Sequence, residues 1–153
     1  MSYEGTSVSV SKSQDELRRL LLRHEGSSVA FVSQPEAEGF RAMVPLDGKL
    51  YTIKIMAKMR HIEPRNIKGR YYRGRFIPPR TSNDEREAEC KRIWRVIFYH
   101  IKSVFEAADS GVMEFRELIL PYIVTKDGQT VAEHILPKLD AALAGRPDRL
   151  LGA

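Results

Sequence analysis

Alternating apolar and polar residues around Asp47-Gly48 predict a β-hairpin. Asp-Gly between two apolar runs favours a two-residue turn with positive backbone φ angles. Because such a turn determines the register, we expect Leu46 to lie opposite Lys49. The further pairs predicted on that face are Val44 with Tyr51, Ala42 with Ile53, and Phe40 with Ile55. The opposite face carries Arg41, Thr52 and Lys54. Only one face of the ribbon is therefore apolar. We expect helices of the chain to pack on that face and bury it.

Apolar residues at helical spacing predict four helices around this hairpin. The predicted helices span about 13–25, 83–109, 113–124 and 130–144. A run of β-branched and aromatic residues predicts a further strand over 28–33. Pro121 is expected to kink or end the third helix and Pro137 to bend the fourth, because proline lacks the amide that an α-helix uses.

Three Ser or Thr residues, each followed three positions later by Glu, have the spacing of capping boxes. In this motif the hydroxyl and the carboxylate each accept a hydrogen bond from a free amide at the start of a helix. The three pairs are Ser13 with Glu16, Ser82 with Glu85, and Thr130 with Glu133. They predict where the first, second and fourth helices begin.

The longest predicted helix has one apolar face and one basic face beside it. An arc of roughly 140° carries Cys90, Ile93, Trp94, Ile97, Phe98, Ile101, Val104, Phe105 and Ala108. A neighbouring arc of roughly 100° carries Lys91, Arg92, Arg95, Tyr99 and Lys102, with Glu106 interrupting it. The first arc is the expected core face. The four basic residues of the second arc, which we call the helix stripe, form a candidate binding surface.

These elements predict an α+β fold in one domain. The chain has 153 residues, the usual size of a single compact domain. We expect an N-terminal helix, a small antiparallel sheet of about three strands, and a C-terminal block of three helices packed on one sheet face. The predicted domain spans 13–144, with a flexible arm over 1–12 and a flexible tail over 145–153.

The positive charge of the chain is concentrated in one segment. The net charge is +5, from 25 Lys and Arg residues and 20 Asp and Glu residues. Residues 57–80, here called the basic window, contain a single acidic residue, Glu63, and eight basic ones: Lys58, Arg60, Arg65, Lys68, Arg70, Arg73, Arg75 and Arg80. The rest of the chain holds 17 basic and 19 acidic residues. Concentrated positive charge attracts polyanions and releases their counterions on binding.

Aromatic residues are interleaved with these cations. Tyr71, Tyr72 and Phe76 can stack on unpaired bases at roughly 1 to 3 kcal/mol each, and guanidinium groups can hold phosphates through two hydrogen bonds. Arg65, Arg70, Arg73 and Arg75 are the predicted phosphate contacts. Two other interpretations of this segment stay open: a poorly ordered, solvated connection, and a surface that binds an acidic protein. The helix stripe fits either an extension of the same groove or a solvated helix face.

The remaining reactive side chains do not predict an enzyme. The four histidines and Cys90 lack the spacing of metal ligands, so we expect no metal and no cofactor. Cys90 lies on the core arc, as a small buried hydrophobe would. A metal-dependent nuclease would need a second carboxylate where Thr52 stands. The chain has neither a transmembrane stretch nor a secretory signal at its start, so we expect a cytoplasmic protein.

The second half of the chain resembles a family of small proteins encoded by bacteriophages and prophages. The resemblance covers about 60 to 70 residues, and the run DGQTVAE is its most specific part. The matching residues are Trp94, Lys102, Glu106, Ser110, Gly111, Phe115, Asp127, Gly128, Thr130, Val131 and Glu133. The family has no assigned function. The resemblance therefore implies a mobile-element origin and a bacterial host cytoplasm, and it supplies no catalytic residues.

Two functions are consistent with these observations. The first is non-catalytic binding of nucleic acid, single-stranded and weakly sequence-selective, in phage replication or recombination. Its candidate residues are those of the basic window and the helix stripe, together with the three aromatic residues. The alternative is a phage-encoded interaction module that inhibits or recruits a host or phage protein.

Overall fold

A three-stranded antiparallel sheet forms the framework on which the helices pack, and the fold is α+β. In this computed structural model, which describes residues 3–63 and 66–145, the sheet contains β1 (Ser27–Gln34), β2 (Ala37–Leu46) and β3 (Lys49–Lys58), in that order. Four helices are present in the described residues: α1 (Val10–Arg23), α2 (Ser82–Asp109), α3 (Phe115–Ile119) and α4 (Val131–Gly145). A 3₁₀ turn, Leu120–Tyr122, follows α3 directly.

The register predicted for the central hairpin is confirmed. Leu46 pairs with Lys49, and the three further pairs on the same face are those expected from the Asp-Gly turn. Both turn residues have positive φ angles, 49° at Asp47 and 76° at Gly48. The apolar face of the hairpin is buried, with Phe40 fully inaccessible to solvent.

The core forms where α1 and α2 cover this apolar face. Residues from both helices and from β2 and β3 make one buried cluster. Its fully enclosed large side chains are Leu17, Leu21, Phe40, Val44 and Trp94. In α2 the apolar arc predicted from the sequence faces the core, with Cys90, Phe98 and Ala108 at its half-buried edges.

The first two helices begin earlier than their predicted caps. Ser9 is the N-cap of α1 and its hydroxyl accepts a hydrogen bond from the Lys12 amide, so the predicted start at Ser13 is wrong. Residues 10–12, predicted as part of a flexible arm, are helical. In α2 the capping box is formed by Thr81 and Asp84, one residue before the predicted pair. Aspartate serves as well as glutamate there because its carboxylate reaches the Thr81 amide at 2.8 Å.

Ser13 lies inside the core, and its hydroxyl has no hydrogen-bond partner among the described residues. We expect Ser13→Ala to raise the free energy of unfolding by about 0.5 to 1 kcal/mol, because it removes an unsatisfied buried oxygen and improves helix propensity. Chemical denaturation followed by circular dichroism measures the change. Ser11→Ala, at an exposed position of the same helix, is the control for propensity. Equal effects of the two substitutions would contradict the prediction.

The predicted helix over 113–124 is wrong in extent. It consists of the five-residue α3 and the 3₁₀ turn, and the α-helix ends before Pro121 because proline has no amide to continue it. The chain then joins the edge of β3, where Ile123 bridges Ile53 and the Val124 amide donates to the Thr52 carbonyl at 2.8 Å. This contact extends the sheet edge locally.

The start of α4 is confirmed, whereas its predicted position on the sheet is not. The Thr130 amide donates to Glu133 Oε2 at 2.7 Å, and the Glu133 amide donates to the Thr130 hydroxyl at 3.2 Å. The helix packs mainly against the 3₁₀ turn, and none of residues 131–144 is buried. The predicted block of three helices on one sheet face therefore lacks α4.

Both predicted flexible ends lie partly within the described residues. The Tyr3 ring stacks on Tyr99 with centroids 5.2 Å apart, and Arg60 forms an ion pair with Glu4 at 2.7 Å. The predicted tail, 145–153, lies outside the described residues apart from the last residue of α4. Among the described residues, no helix is long and apolar enough to cross a bilayer.

Candidate nucleic-acid interface

Most of the basic window forms a second hairpin, which we call the β-arm (residues 66–81). Its base pairs β4 (Asn66–Ile67) with β7 (Arg80–Thr81), and its outer part pairs β5 (Arg70–Tyr72) with β6 (Arg75–Ile77). The turn at its tip consists of Arg73 and Gly74, both with positive φ angles, 49° and 75°. The arm connects β3 to α2. In the structure it is a two-stranded antiparallel ribbon.

The aromatic residues of the β-arm are exposed and arranged by its register. Tyr71 lies directly opposite Phe76, so both rings are on one face, with their centroids 5.2 Å apart. Tyr71 is 79% exposed and Phe76 is 55% exposed. A Cβ atom on Gly69 would come within 2.7 Å of the Phe76 ring, so glycine at this position lets the ring lie against the backbone. The two exposed rings are inclined at 55° to each other, and each offers a face of its own to solvent.

The other face of the β-arm carries most of its charge. Arg70 and Arg75 share this face with Tyr72, whose ring centroid lies 5.4 Å from the Arg73 guanidinium. Lys68, Arg70, Arg73 and Arg75 are all exposed. The segment 66–81 contains no acidic residue. Within the described part of the chain, none of these four cations has a carboxylate at ion-pair distance. Their charge is therefore available to an external anion.

The other cations of the basic window are placed differently. Arg65 lies outside the described residues, as does the side chain of Arg80. Lys58 is exposed at the end of β3. Arg60 is held by Glu4 and lies 3.8 Å from Glu89, so its charge is partly compensated.

The helix stripe does not extend the β-arm as predicted. Arg92 donates two hydrogen bonds to Glu89, at 2.6 and 2.9 Å, and this contact lowers the pKa of the Glu89 carboxyl. Arg95 is buried and forms a 2.7 Å ion pair with Glu16. Lys102 lies 3.8 Å from Glu106. At a rise of about 1.5 Å per residue, Lys102 is also about 30 Å along the helix from the end of the arm.

We therefore remove Arg92, Arg95 and Lys102 from the candidate interface. Lys91 is half-buried and has no ion pair among the described residues, and it lies on the half of α2 nearer the arm. The interface that remains is centred on the β-arm.

No family model, curated protein or solved structure matches this chain. The assignment of this interface therefore depends on its own chemistry.

Cys90 is a half-buried thiol beside the Glu38 carboxylate. The thiol lies 3.5 Å from Glu38 Oε1, which also accepts a hydrogen bond from the Ser33 hydroxyl. Burial, reinforced by the charge of Glu38, raises the pKa of the Cys90 thiol to about 11. A raised pKa favours the protonated thiol over the thiolate, which is the reactive form.

The hairpin form of the β-arm was missed because its turn is unusual in composition. Two-residue turns of this class favour Asn-Gly or Asp-Gly, and Arg-Gly is not a typical signal. The sequence feature that indicates the hairpin is the pair of short runs that flank this turn. They contain aromatic or β-branched residues, namely Tyr71, Tyr72, Phe76 and Ile77. This pattern indicates two short strands around Gly74.

Proposed function

We propose that this protein binds single-stranded nucleic acid with weak sequence selectivity and without catalysing a reaction on it. The observation that carries the proposal is the β-arm, an exposed hairpin with four uncompensated cations and a pair of solvated rings. Of the eight other arginines and lysines in the predicted interface, four are paired with an acid of the protein itself, and two lie wholly or by their side chain outside the described residues. The arm combines the two contacts that unpaired strands need, a phosphate contact and a stacking surface.

The two faces of the arm suit the two parts of a nucleotide. Tyr71 and Phe76 present flat apolar surfaces on which bases can stack. A two-stranded ribbon is only about 5 Å wide between its strands, so the long side chains of Arg70 and Arg75 can reach round its edges to phosphates. Stacking accepts every base because each has a π face, which is why we propose weak selectivity.

The biological setting that we propose, replication or recombination of a phage or another mobile element, depends on the family resemblance alone. The β-arm lies outside the region of that resemblance. Binding by the arm is therefore a property that we propose for this chain and not for the family.

The salt dependence of binding tests this function. Three to four phosphate contacts to a single strand predict that log Kobs falls with log[salt] at a slope of about −2 to −3. A labelled oligothymidylate, titrated with protein while fluorescence anisotropy is recorded, gives the slope. A duplex of equal length should bind about tenfold more weakly, because its bases are already stacked and cannot use the rings. Absence of binding at low salt, or affinity that does not change with salt, would reject the proposal.

A second candidate function is supported by the exposed apolar face of α4. Four large apolar side chains of this helix are between 37% and 53% exposed: Ile135, Leu136, Leu139 and Leu143. Their spacing puts them along one side of the helix, as in amphipathic helices that dock on proteins. This face favours the interaction module that the sequence left open. Leu136→Asp with Leu139→Asp should then abolish capture of one protein from nuclease-treated host lysate, while substitutions in the β-arm leave capture unchanged.

A further inference from the structure

A cavity of about 410 Å³ lies at the foot of the β-arm. It is bounded by the turn between β1 and β2, the chain that follows β3, and the second turn of α2. The chain leaves the cavity at Ile62 and enters the arm four residues later, and it returns from the arm at Thr81, five residues before Arg86. Each strand of the arm is therefore separated from a lining residue of this cavity by only four or five positions in the chain.

The lining of the cavity has an apolar part and a cationic part. Pro35, Met59 and Ile62 supply apolar surface, and Met59 is itself buried. Lys58, Arg60, His61 and Arg86 supply positive charge or hydrogen-bond donors, against one lining carboxylate, Glu36. The apolar part can contact a ring of a ligand, and the cationic part can donate hydrogen bonds to an anionic group of the same ligand. The volume is also in the range of small-molecule sites.

Arg86 gives the cavity a fixed and uncompensated charge. Its Nη1 donates to the Pro35 carbonyl at 2.7 Å and its Nη2 donates to the Gln34 carbonyl at 3.2 Å. These acceptors orient the guanidinium without neutralising it. No carboxylate of the described chain lies within ion-pair distance of it. Lys58, also without an acidic partner among the described residues, stands at the cavity wall formed by the end of β3.

We propose that this cavity binds one nucleoside monophosphate unit, with the phosphate near Lys58 and Arg86 and the base against Met59 and Ile62. The unit is either a nucleotide of a strand that continues from the β-arm or a free mononucleotide. The first form depends on the proposed function, and the second does not. Lys58 and Arg60 belong to the interface predicted from the sequence and Arg86 does not, because the cavity brings Arg86 against Pro35, which is 51 residues away in the chain.

Thymidine 5′-monophosphate is the probe that tests this site, with calorimetry and protein NMR shifts as the readouts. We expect saturable binding that inorganic phosphate or thymidine alone reproduces at least about tenfold more weakly, because each offers only half of the contacts. Lys58→Glu should weaken binding of the monophosphate at least about tenfold. Lys49→Glu is the matched control, since Lys49 is the exposed first residue of β3, about 30 Å from Lys58.

Variants of the β-arm and of the cavity distinguish failure of the cavity proposal from failure of the function proposed for the arm. They also distinguish the two forms of the ligand. If Arg70→Glu, Arg73→Glu and Arg75→Glu together abolish oligonucleotide binding but leave monophosphate binding unchanged, both sites exist. A fall in oligonucleotide affinity with Lys58→Glu then shows that the strand enters the cavity, and no fall shows that the ligand is a free mononucleotide.

If oligonucleotides bind while the monophosphate does not, or if Lys58→Glu and Lys49→Glu have equal effects, the cavity proposal is overturned and the function of the arm stands. If the monophosphate binds in the cavity while oligonucleotides do not bind at all, the function proposed for the arm fails and the cavity proposal stands.

Discussion

Replacing Arg70, Arg73 and Arg75 together by glutamate should weaken binding of single-stranded oligonucleotide by more than about 100-fold at low salt. Each lost phosphate contact contributes on the order of 1 kcal/mol, and the new carboxylates repel the strand. The three arginines are exposed and have no acidic partner in the described chain. Stability should therefore change by no more than about 0.5 kcal/mol, so loss of binding is not loss of folding.

The matched control changes the net charge equally at other sites. Lys49, Lys126 and Lys138 are exposed and lie in the central hairpin, a turn and α4. Their replacement by glutamate should weaken binding only a few-fold, through the overall field of the protein. Equal losses in the two triple variants would show that binding depends on net charge, and the assignment to the β-arm would be wrong.

A second variant of the arm separates stacking from charge. Tyr71→Ser with Phe76→Ser leaves every cation in place, so the slope of affinity against salt should be unchanged. The affinity itself should fall by about 1 to 3 kcal/mol for each base that stacked. Anisotropy titrations at several salt concentrations measure both quantities. An unchanged affinity would mean that the rings do not contact bases.

Trp94→Ala should lower the free energy of unfolding by about 3 to 5 kcal/mol. Trp94 is 1% exposed and is the largest fully buried side chain of the core. Its ring lies 5.4 Å from the Phe31 ring in an edge-to-face arrangement and belongs to the buried cluster that α1, α2 and the sheet form. Truncation to alanine removes these contacts and leaves a cavity that close-packed neighbours fill only in part. A domain of this size has a total stability of about 5 to 15 kcal/mol, so much of it would be lost.

The indole nitrogen of Trp94 provides the control. Its Nε1 is buried and finds no hydrogen-bond partner in the described part of the chain. Trp94→Phe removes this unsatisfied donor and keeps an aromatic ring, so it should cost about 1 to 2 kcal/mol, clearly less than alanine. Trp94 is the only tryptophan in the chain, so far-UV circular dichroism during guanidinium unfolding is the suitable measurement. A cost below about 1 kcal/mol for Trp94→Ala would contradict this account of the core.

Features with a local cause were predictable. The Asp47-Gly48 turn determines the register of the central hairpin through the backbone angles of two residues, and every predicted pair is present. The Thr130 and Glu133 cap acts within one turn of helix. The starts of α1 and α2 were misplaced because neighbouring residues, Ser9 and Thr81, could also act as caps and competed with the predicted ones.

The candidate site was predictable in its composition and not in its extent. The cations and rings of the β-arm are consecutive in the chain, so their concentration was visible in the sequence. The helix stripe was also basic, but carboxylates compensate three of its four charges, and one of these carboxylates cannot be anticipated from spacing. Glu16, which holds Arg95, is 79 residues away in the chain. The assembly of the cavity from Pro35, Lys58 and Arg86 has the same non-local origin.

The sequence alone determined the α+β class, the pairing of β2 with β3, the core face of α2 and the position of the excess positive charge, because each follows from turn geometry, helical period or composition. The tertiary structure decided which of the charges remain free, which are buried against acids, and where the cavity lies. These properties depend on distances between residues far apart in the chain, and those distances exist only once α1, α2 and the sheet have packed.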